Sequence, residues 1–227
     1  MFLDTFMNKK NYGKLLDISI NEDEYHEFTS NEDANKWGHL LYDDWAKEYE
    51  KNEGMYDYHD TPIFLYTGTA YRIINDYKRG GAVSISPSNK KMADCSIPEA
   101  IHSAPHISEK IVVYRIISGD VCDYFKNIDG YFSPLFEKAF LSSSLLRDKI
   151  SEHISTLKDP DHPILLKIYV PENTEAVFVN SIGGFNDSAE AELLINHNQY
   201  LYPIKYPYVN KTHNILCVEC LLSNRAF

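Results

Sequence analysis

Apolar residues recur at different spacings in the two halves of the sequence, and this change constrains the fold more than any other feature. Up to about residue 109 they are separated mostly by three or four residues, as on one face of an α-helix. From about residue 110 they alternate with polar residues in short runs, which is typical of β-strands. The sequence therefore predicts an α+β fold, in which a helical lobe precedes a two-sheet, mainly antiparallel β core.

Two long helices are predicted in the first half of the chain. The first covers residues 29–50, with Ser30 or Asn31 as its N-cap and acidic residues in its first turn. Because those acidic residues suit the positive end of a helix dipole, they support a helix start at this point. The apolar stripe of this helix consists of Trp37, Leu40, Leu41, Trp45 and Tyr49.

The second long helix is predicted to begin at Thr61 and Pro62, because proline is well tolerated in a first helical turn. The glycine pair at 80–81 should stop it. Residues 97–109 are predicted to add a further, short helix. The apolar stripe of the second long helix consists of Ile63, Tyr66, Ala70, Ile74 and Tyr77.

Short runs of period two follow, separated by segments rich in turn-forming residues such as NIDGYFSP (127–134) and SIGGFNDS (181–188). No internal repeat or long linker interrupts the sequence. We therefore expect a single domain over residues 1–227, with a helical lobe at about 1–109 and a β-rich core at about 110–227. The runs of period two are residues 111–117, 139–145, 164–170, 176–180, 191–195, 200–209 and 214–222.

The formal net charge of −11 argues against non-specific binding to nucleic acid or to an anionic membrane surface. Residues 21–60 carry 13 acidic and three basic side chains, which form either a solvated helical face or a docking surface for a basic partner. No run approaches the ~20 apolar residues of a membrane-spanning helix, and the start of the chain lacks the pattern of a signal peptide. We expect action in a cytosol, with any secretion or injection following a route that needs no signal peptide.

Cysteines and histidines do not predict a metal site. Cys217 and Cys220 form one C-x-x-C pair inside an alternating run, where a buried strand explains them better than zinc does. We therefore expect that the protein binds no metal and that it matures in a reducing compartment. Four histidines lack the sequence spacing to cysteines or carboxylates that metal ligands show: His102, His106, His153 and His162.

Two glutamates stand one residue apart where a strand is predicted to begin. At positions i and i+2 of a strand, Glu190 and Glu192 would share a face, about 6.5 Å apart. Two such carboxylates suit chemistry in which one stabilises positive charge and the other takes a proton. A solvent-exposed edge strand that carries two charges also explains the pair.

Further polar residues interrupt two other predicted strands. Arg115 lies inside the apolar run VVYRII, where a guanidinium is costly to bury unless it is paired or binds an anion. Residues 142–144 are three serines within AFLSSSL, whose hydroxyls need partners, such as a neighbouring carboxylate. A buried ion pair for the arginine and hydrogen bonds at a strand edge for the serines are the structural alternatives.

Taken in order, these motifs resemble the R-S-ExE pattern of mono-ADP-ribosyltransferases. The matching segments are YR (114–115), FLSSS (140–144) and EAELLI (190–195). The likeness is to the bacterial exoenzyme branch that includes the enzymatic components of binary clostridial toxins and the C3-like exoenzymes. The helical segments NEDANKWGHLLYDDW and YTGTAYRIINDYKRG also resemble that branch, so the resemblance spans about 25–222. The middle motif departs from the commoner Ser-Thr-Ser, but it still supplies hydroxyl groups.

The resemblance implies that NAD is the substrate and that Arg115 holds its pyrophosphate. Arg79 is implied as a second phosphate contact, and Asn75 as its neighbour in NAD binding. Ser142 would orient the catalytic glutamate and line the pocket for the nicotinamide ribose. Ser143 or Ser144 remains an alternative for that role, because a slip of one residue in a strand reverses its faces.

The resemblance also assigns different roles to the two glutamates. Glu192 matches the glutamate that stabilises positive charge on the ribose as nicotinamide leaves. Glu190 matches the position that selects the acceptor, and a glutamate there implies transfer to arginine of a target protein. Phe185, in the preceding loop, is implied to contact that target, although it is also compatible with a core position.

The leading hypothesis is thus an NAD-dependent mono-ADP-ribosyltransferase that acts on protein arginine. An NAD glycohydrolase would use the same site with water as the acceptor. Two hypotheses come from other functional classes: an inactive relative that only binds a partner protein, and a structural protein without a ligand site.

Overall fold

The computed structural model describes residues 12–52, 61–157, 159–183, 191–210 and 215–226. Within these ranges the helices precede the strands, apart from one short helix and two 3₁₀ helices that connect strands. None of the described helices combines the length and hydropathy that crossing a membrane requires. The predicted order of a helical region followed by a β core is therefore confirmed.

Helix α1 spans Asn31–Asn52, and the Ser30 hydroxyl accepts a hydrogen bond from the Asp33 amide at 3.1 Å. Ser30 is thus the N-cap. The predicted apolar stripe is wrong at Leu40, whose surface is 86% exposed. The helix instead packs through the face that carries Gly38, where the ring of Phe178 leaves no room for a side chain. The buried residues of this face are Ala34, Tyr42, Ala46 and Tyr49.

Helix α2 consists of three continuous segments: Pro62–Leu65, a π-helical turn at Tyr66–Ala70, and Tyr71–Lys78. The Thr61 hydroxyl caps its start by accepting from the Phe64 amide at 3.3 Å. The chain leaves the helix through Gly80, whose φ of +82° is a conformation that glycine adopts without strain. The predicted start, stop and apolar stripe of this helix agree with the structure.

Helix α3 is longer than the predicted segment 97–109. It begins with Pro87–Lys91, capped by Ser86, continues through a π-helical turn at Met92–Ser96 and ends with Ile97–Ser103. A fourth helix, α4, is a single turn at Val121–Tyr124.

The described strands are β1 Ile111–Ser118, β2 Asn127–Ile128, β3 Tyr131–Phe132, β4 Leu135–Glu137, β5 Leu141–Ser144, β6 Pro163–Val170, β7 Ala176–Phe178, β8 Glu192–Ile195, β9 Gln199–Pro203, β10 Tyr208–Asn210 and β11 Ile215–Ser223. Nine of these strands form one sheet in the order β4-β9-β11-β6-β1-β5-β8-β7, with β10 paired to β11. The β6–β11 pair is parallel and the other pairs in this sheet are antiparallel.

The large sheet divides into two parts at the contact between β1 and β5. Strand β1 pairs with β6 from Ile111 to Ser118, but it pairs with β5 only where Tyr114 lies opposite Ser144. Strands β5, β8 and β7 therefore form a second part that meets the first at one point. This arrangement agrees with the predicted two-sheet core, and the candidate site lies beside the junction.

The segment NIDGYFSP is more than the turn that its composition predicts. It contains the hairpin of β2 and β3, which forms the separate two-stranded sheet. Asp129 and Gly130 connect the strands with φ values of +53° and +82°. An Asp-Gly pair with two positive φ angles suits a two-residue hairpin loop, because its twist matches that of the strands.

Candidate active site

A cleft of about 570 Å³ lies where helix α2 faces the junction of strands β1, β5 and β8. Its volume falls in the range of small-molecule sites. Polar and charged side chains from five separate segments of the chain line it together: α2, β1, β5, β8 and the 3₁₀ helix at Asp148–Thr156, which contributes His153. Those predicted from the sequence as site residues are Asn75, Arg79, Arg115, Ser142, Ser143, Ser144 and Glu192.

The middle serine motif and the second glutamate meet across strands β5 and β8. Ser144 pairs with Glu192 in the register, and Ser142, two residues along β5, shares that face. The Ser142 hydroxyl donates to Glu192 Oε1 at 2.5 Å. Ser143 donates to the Leu193 carbonyl at 2.9 Å instead. The structure therefore brings Ser142, rather than its neighbour Ser143, to the carboxylate.

Arg115 lies on β1 beside this pair. Its Nη1 donates to the backbone carbonyl oxygen of Ser142 at 3.0 Å, which ties the guanidinium to the strand that carries the serines. Burial lowers the pKa of Arg115 from its ordinary value, and the negative charge of Glu137 opposes that effect. Because an arginine side chain keeps its proton in proteins, the site contains a half-buried positive charge.

Arg79, at the end of α2, makes a two-pronged ion pair with Glu137. Its Nε and Nη2 atoms donate to the two carboxylate oxygens at 3.0 and 2.7 Å. Burial alone would lower the pKa of Arg79, but the hydrogen bonds and charge of Glu137 raise it overall. Sequence reasoning missed Glu137. The available signal was an acidic residue two positions before the buried run that begins at Ala139.

Asn75 lies on α2 and is buried beside Tyr66. The two side chains exchange hydrogen bonds, since Asn75 Nδ2 is 2.9 Å and Oδ1 is 3.1 Å from the tyrosine hydroxyl. Burial raises the pKa of Tyr66 above its ordinary value. These hydrogen bonds hold the π-helical turn of α2 in place, and that turn forms one wall of the cleft.

A second cleft, of about 460 Å³, adjoins the first. Arg79, Arg115 and Leu157 line both clefts, and Glu137 lines the second. The two guanidinium groups thus stand at the boundary between two spaces. A long anionic ligand that extends from one cleft to the other would pass them.

Glu190 and Phe185 lie outside the described residues. Strand β8 begins at Glu192, and the preceding Ala191 has a φ of +45°. The backbone is therefore not extended at Ala191. The shared strand face of Glu190 and Glu192 stays a prediction, because Glu190 lies outside the described residues.

Outside the cleft, the tertiary structure assembles a cluster that sequence spacing did not indicate. Ligand atoms of His102, His106 and Glu175 lie within 4.8 Å of one another, close enough to share a metal ion. His102 Nδ1 is 2.8 Å from Glu175 Oε1, and Asn196 donates to Glu175 Oε2 at 2.7 Å. The expectation that the protein binds no metal stays a prediction.

A comparison with models of known protein families identifies the class of this chain. The model of the ADP-ribosyltransferase exoenzyme family matches residues 34–222, and the chain belongs to that family. The resemblance noted in the sequence is thereby confirmed. No curated protein sequence matches the chain.

Solved structures of other proteins share this fold at low sequence identity. The ADP-ribosylating toxin BECa of a binary enterotoxin of C. perfringens, with NADH, is similar with a TM-score of 0.64 and 20% identity over 88% of this chain. This chain spans only 50% of that toxin chain. Plx2a from Paenibacillus larvae gives 0.63 and 21% identity, covering 88% of this chain and 99% of its own. C3stau2 from S. aureus, with NAD, is similar with a TM-score of 0.65 and 16% identity. The match covers 89% of this chain and 100% of the C3stau2 chain.

Proposed function

We propose that this protein is a mono-ADP-ribosyltransferase that moves ADP-ribose from NAD to arginine of a target protein and releases nicotinamide. The observation that carries the proposal is the Ser142–Glu192 hydrogen bond of 2.5 Å beside the half-buried Arg115, in a cleft large enough for a small molecule. Structures of two proteins with the same fold contain NADH and NAD. We propose a cytosol as the place of action.

The residues of the cleft fit an anionic dinucleotide. NAD supplies the ADP-ribosyl group and the nicotinamide leaving group. Arg115 and Arg79 provide positive charge at the boundary of the two clefts, where a diphosphate would bind them. Within the described residues, Arg115 makes one hydrogen bond, from Nη1, so further donors remain for an anion.

Glu192 is the residue on which the chemistry depends in this proposal. The Ser142 hydroxyl holds its carboxylate in place at the first residue of strand β8. A carboxylate so fixed stabilises positive charge that develops on the ribose when nicotinamide departs. Preorganisation matters here, because a group that is already oriented needs no rearrangement in the transition state.

The choice of arginine as acceptor depends on Glu190. A protonated guanidinium is a poor nucleophile, and a carboxylate close to it can both bind it and withdraw its proton. The resemblance to enzymes with two glutamates in this motif supports that role. Phe185 is proposed to contact the target protein from the loop before the motif.

The test is incubation of the protein with labelled NAD and a cell lysate, beside the variants Glu192→Ala and Glu190→Gln. We expect labelled protein bands that disappear with Glu192→Ala. Glu190→Gln should lose the bands but still release nicotinamide from NAD. Nicotinamide release that is indifferent to added protein would instead support an NAD glycohydrolase, and full labelling by Glu192→Ala would refute the assignment.

A further inference from the structure

Glu137 is a buried carboxylate at the boundary of the two clefts. Its side chain is 9% exposed, and both of its oxygens are engaged. Oε1 accepts from Arg79 Nε at 3.0 Å and from the Ala139 amide at 2.9 Å, and Oε2 accepts from Arg79 Nη2 at 2.7 Å. The hydrogen bond from the Ala139 amide, two residues along the chain, holds the carboxylate in place independently of Arg79.

The charges around Glu137 explain why it stays ionised. Burial would raise the pKa of Glu137, but hydrogen bonds from Arg79 and the positive charge of Arg115 lower it overall. Arg79 and Arg115 repel each other, since each positive charge disfavours the other. A carboxylate beside both allows two guanidinium groups to stand close together at one site.

The mode of pairing determines which part of Arg79 remains available to a ligand. A guanidinium carries five N–H donors, and Glu137 engages the edge formed by Nε and Nη2. The two donors of Nη1 are not used in this pair. Arg79 can therefore bind a second anion at its far end while it stays attached to Glu137.

We propose that Glu137 is a positioning residue for NAD, which holds the Arg79 guanidinium at the boundary of the clefts so that Nη1 is presented to the diphosphate. This inference rests on the proposed function. Glu137 does not contact the reacting atoms. Its effect reaches the substrate through Arg79, whose long side chain would otherwise sample many rotamers.

Electrostatics and positioning predict opposite results when the charge of Glu137 is removed. A negative charge close to an anion-binding site repels the ligand, so its removal by itself should strengthen NAD binding. If the residue instead positions Arg79, its removal weakens binding, because the arginine then loses its orientation. The direction of the change thus distinguishes the two effects.

The experiment measures NAD binding by calorimetry and nicotinamide release for the wild type and the variants Glu137→Gln, Glu137→Asp and Arg79→Ala. We expect Glu137→Gln to bind NAD about tenfold more weakly, with KM rising by more than kcat falls. Glu137→Asp keeps the charge but shortens the side chain. If its loss of NAD affinity is similar to that of Glu137→Gln, the position of the carboxylate, and not its charge, accounts for the loss. The Glu137→Gln/Arg79→Ala double variant should bind no more weakly than Arg79→Ala, because the two residues act as one unit.

Glu219→Gln is the matched control. Glu219 is also a buried carboxylate, 6% exposed, and it is paired with Lys205 at 2.9 Å and with the hydroxyls of Tyr169 and Tyr208 at 2.9 and 2.7 Å. It lines neither cleft. We expect its loss to lower the melting temperature without changing NAD affinity, which separates a general loss of stability from the specific effect at Glu137.

Unchanged or tighter NAD binding by both Glu137 variants would overturn this inference while leaving the proposed function in place. Additive losses in the Glu137→Gln/Arg79→Ala double variant would overturn it as well. If the wild type itself binds no NAD, the proposed function fails and the inference fails with it. Should Glu137→Gln not fold, the Glu137→Asp comparison with Glu219→Gln decides the question.

Discussion

The Ser142 hydroxyl and the Glu192 carboxylate are joined across strands β5 and β8 by a hydrogen bond of 2.5 Å, although 50 positions separate them in the sequence. The register that places Ser144 opposite Glu192 puts Ser142 on the same face and Ser143 on the other. The strand pairing therefore excludes Ser143. Of the two serines on the face of Glu192, Ser142 donates to the carboxylate, whereas Ser144 donates to the Leu146 carbonyl at 3.0 Å.

Replacing Ser142 should impair nicotinamide release without affecting folding. A hydrogen bond to a charged group contributes about 1.5–3 kcal/mol, so Ser142→Ala should lower kcat roughly 10- to 100-fold. Ser143→Ala is the control, because Ser143 donates to the Leu193 carbonyl on the opposite face and should leave kcat nearly unchanged. Equal losses in both variants, measured as released nicotinamide, would contradict this assignment.

Arg115→Lys should weaken NAD binding even though it keeps the charge. Lysine lacks the planar fork that can donate to the Ser142 carbonyl and to a phosphate at the same time. We expect KM for NAD to rise about tenfold or more, because at least one charge-assisted hydrogen bond is lost. Steady-state kinetics together with a melting temperature tests this, and a lysine variant with wild-type KM would show that charge alone is sufficient.

Gly38→Ala should destabilise the packing of α1 on β7. A Cβ at position 38 would lie 2.1 Å from Cδ1 of the fully buried Phe178, so one of the two elements must shift. Overpacking of this kind costs roughly 1–3 kcal/mol of unfolding free energy. At Gly68, in α2, a Cβ would meet nothing within 4 Å, so Gly68→Ala should not destabilise. Urea denaturation of both variants compares them, and equal midpoints would contradict this packing.

The Arg79–Glu137 pair should contribute to stability at neutral pH and lose its contribution in acid. The pKa of Glu137 in the folded protein lies below the reference value of 4.5, because the arginines outweigh the effect of burial. The contribution is therefore fully present above that reference value and disappears as pH falls through the lower, folded-state pKa. Unfolding free energies measured from about pH 6 to about pH 3 should show the difference between wild type and Glu137→Gln shrinking as pH falls. A difference that does not change with pH would refute the linkage.

Local features of the fold could be predicted from the sequence because their causes lie within a few residues. The start of α2 depends on the hydroxyl of Thr61 and the amide of Phe64, three positions later. Alternating apolar residues predict β1 and β11 for the same reason, since each strand shows its own pattern. The ordered arginine, serine and glutamate motifs likewise indicated the family before any contact was known.

Sequence patterns were misleading where a residue's role depends on what packs against it. Leu40 fits a helical stripe, but α1 turns another face towards β7, and the spacing alone does not say which face finds a partner. The alternating run 191–195 includes Ala191, but the positive φ of Ala191 places it outside strand β8, which begins at Glu192. A single backbone angle thus overrides the pattern.

The sequence by itself determined the order of helices and strands, the caps of α1 and α2, and the residue types available for chemistry. The tertiary structure decided which of those residues meet. Glu137 joins Arg79 from 58 positions away, and Glu175 joins His102 from 73 positions away. Such contacts follow from strand register and from the packing of helices on the sheet, which the cooperative burial of the whole core establishes and which no local segment encodes.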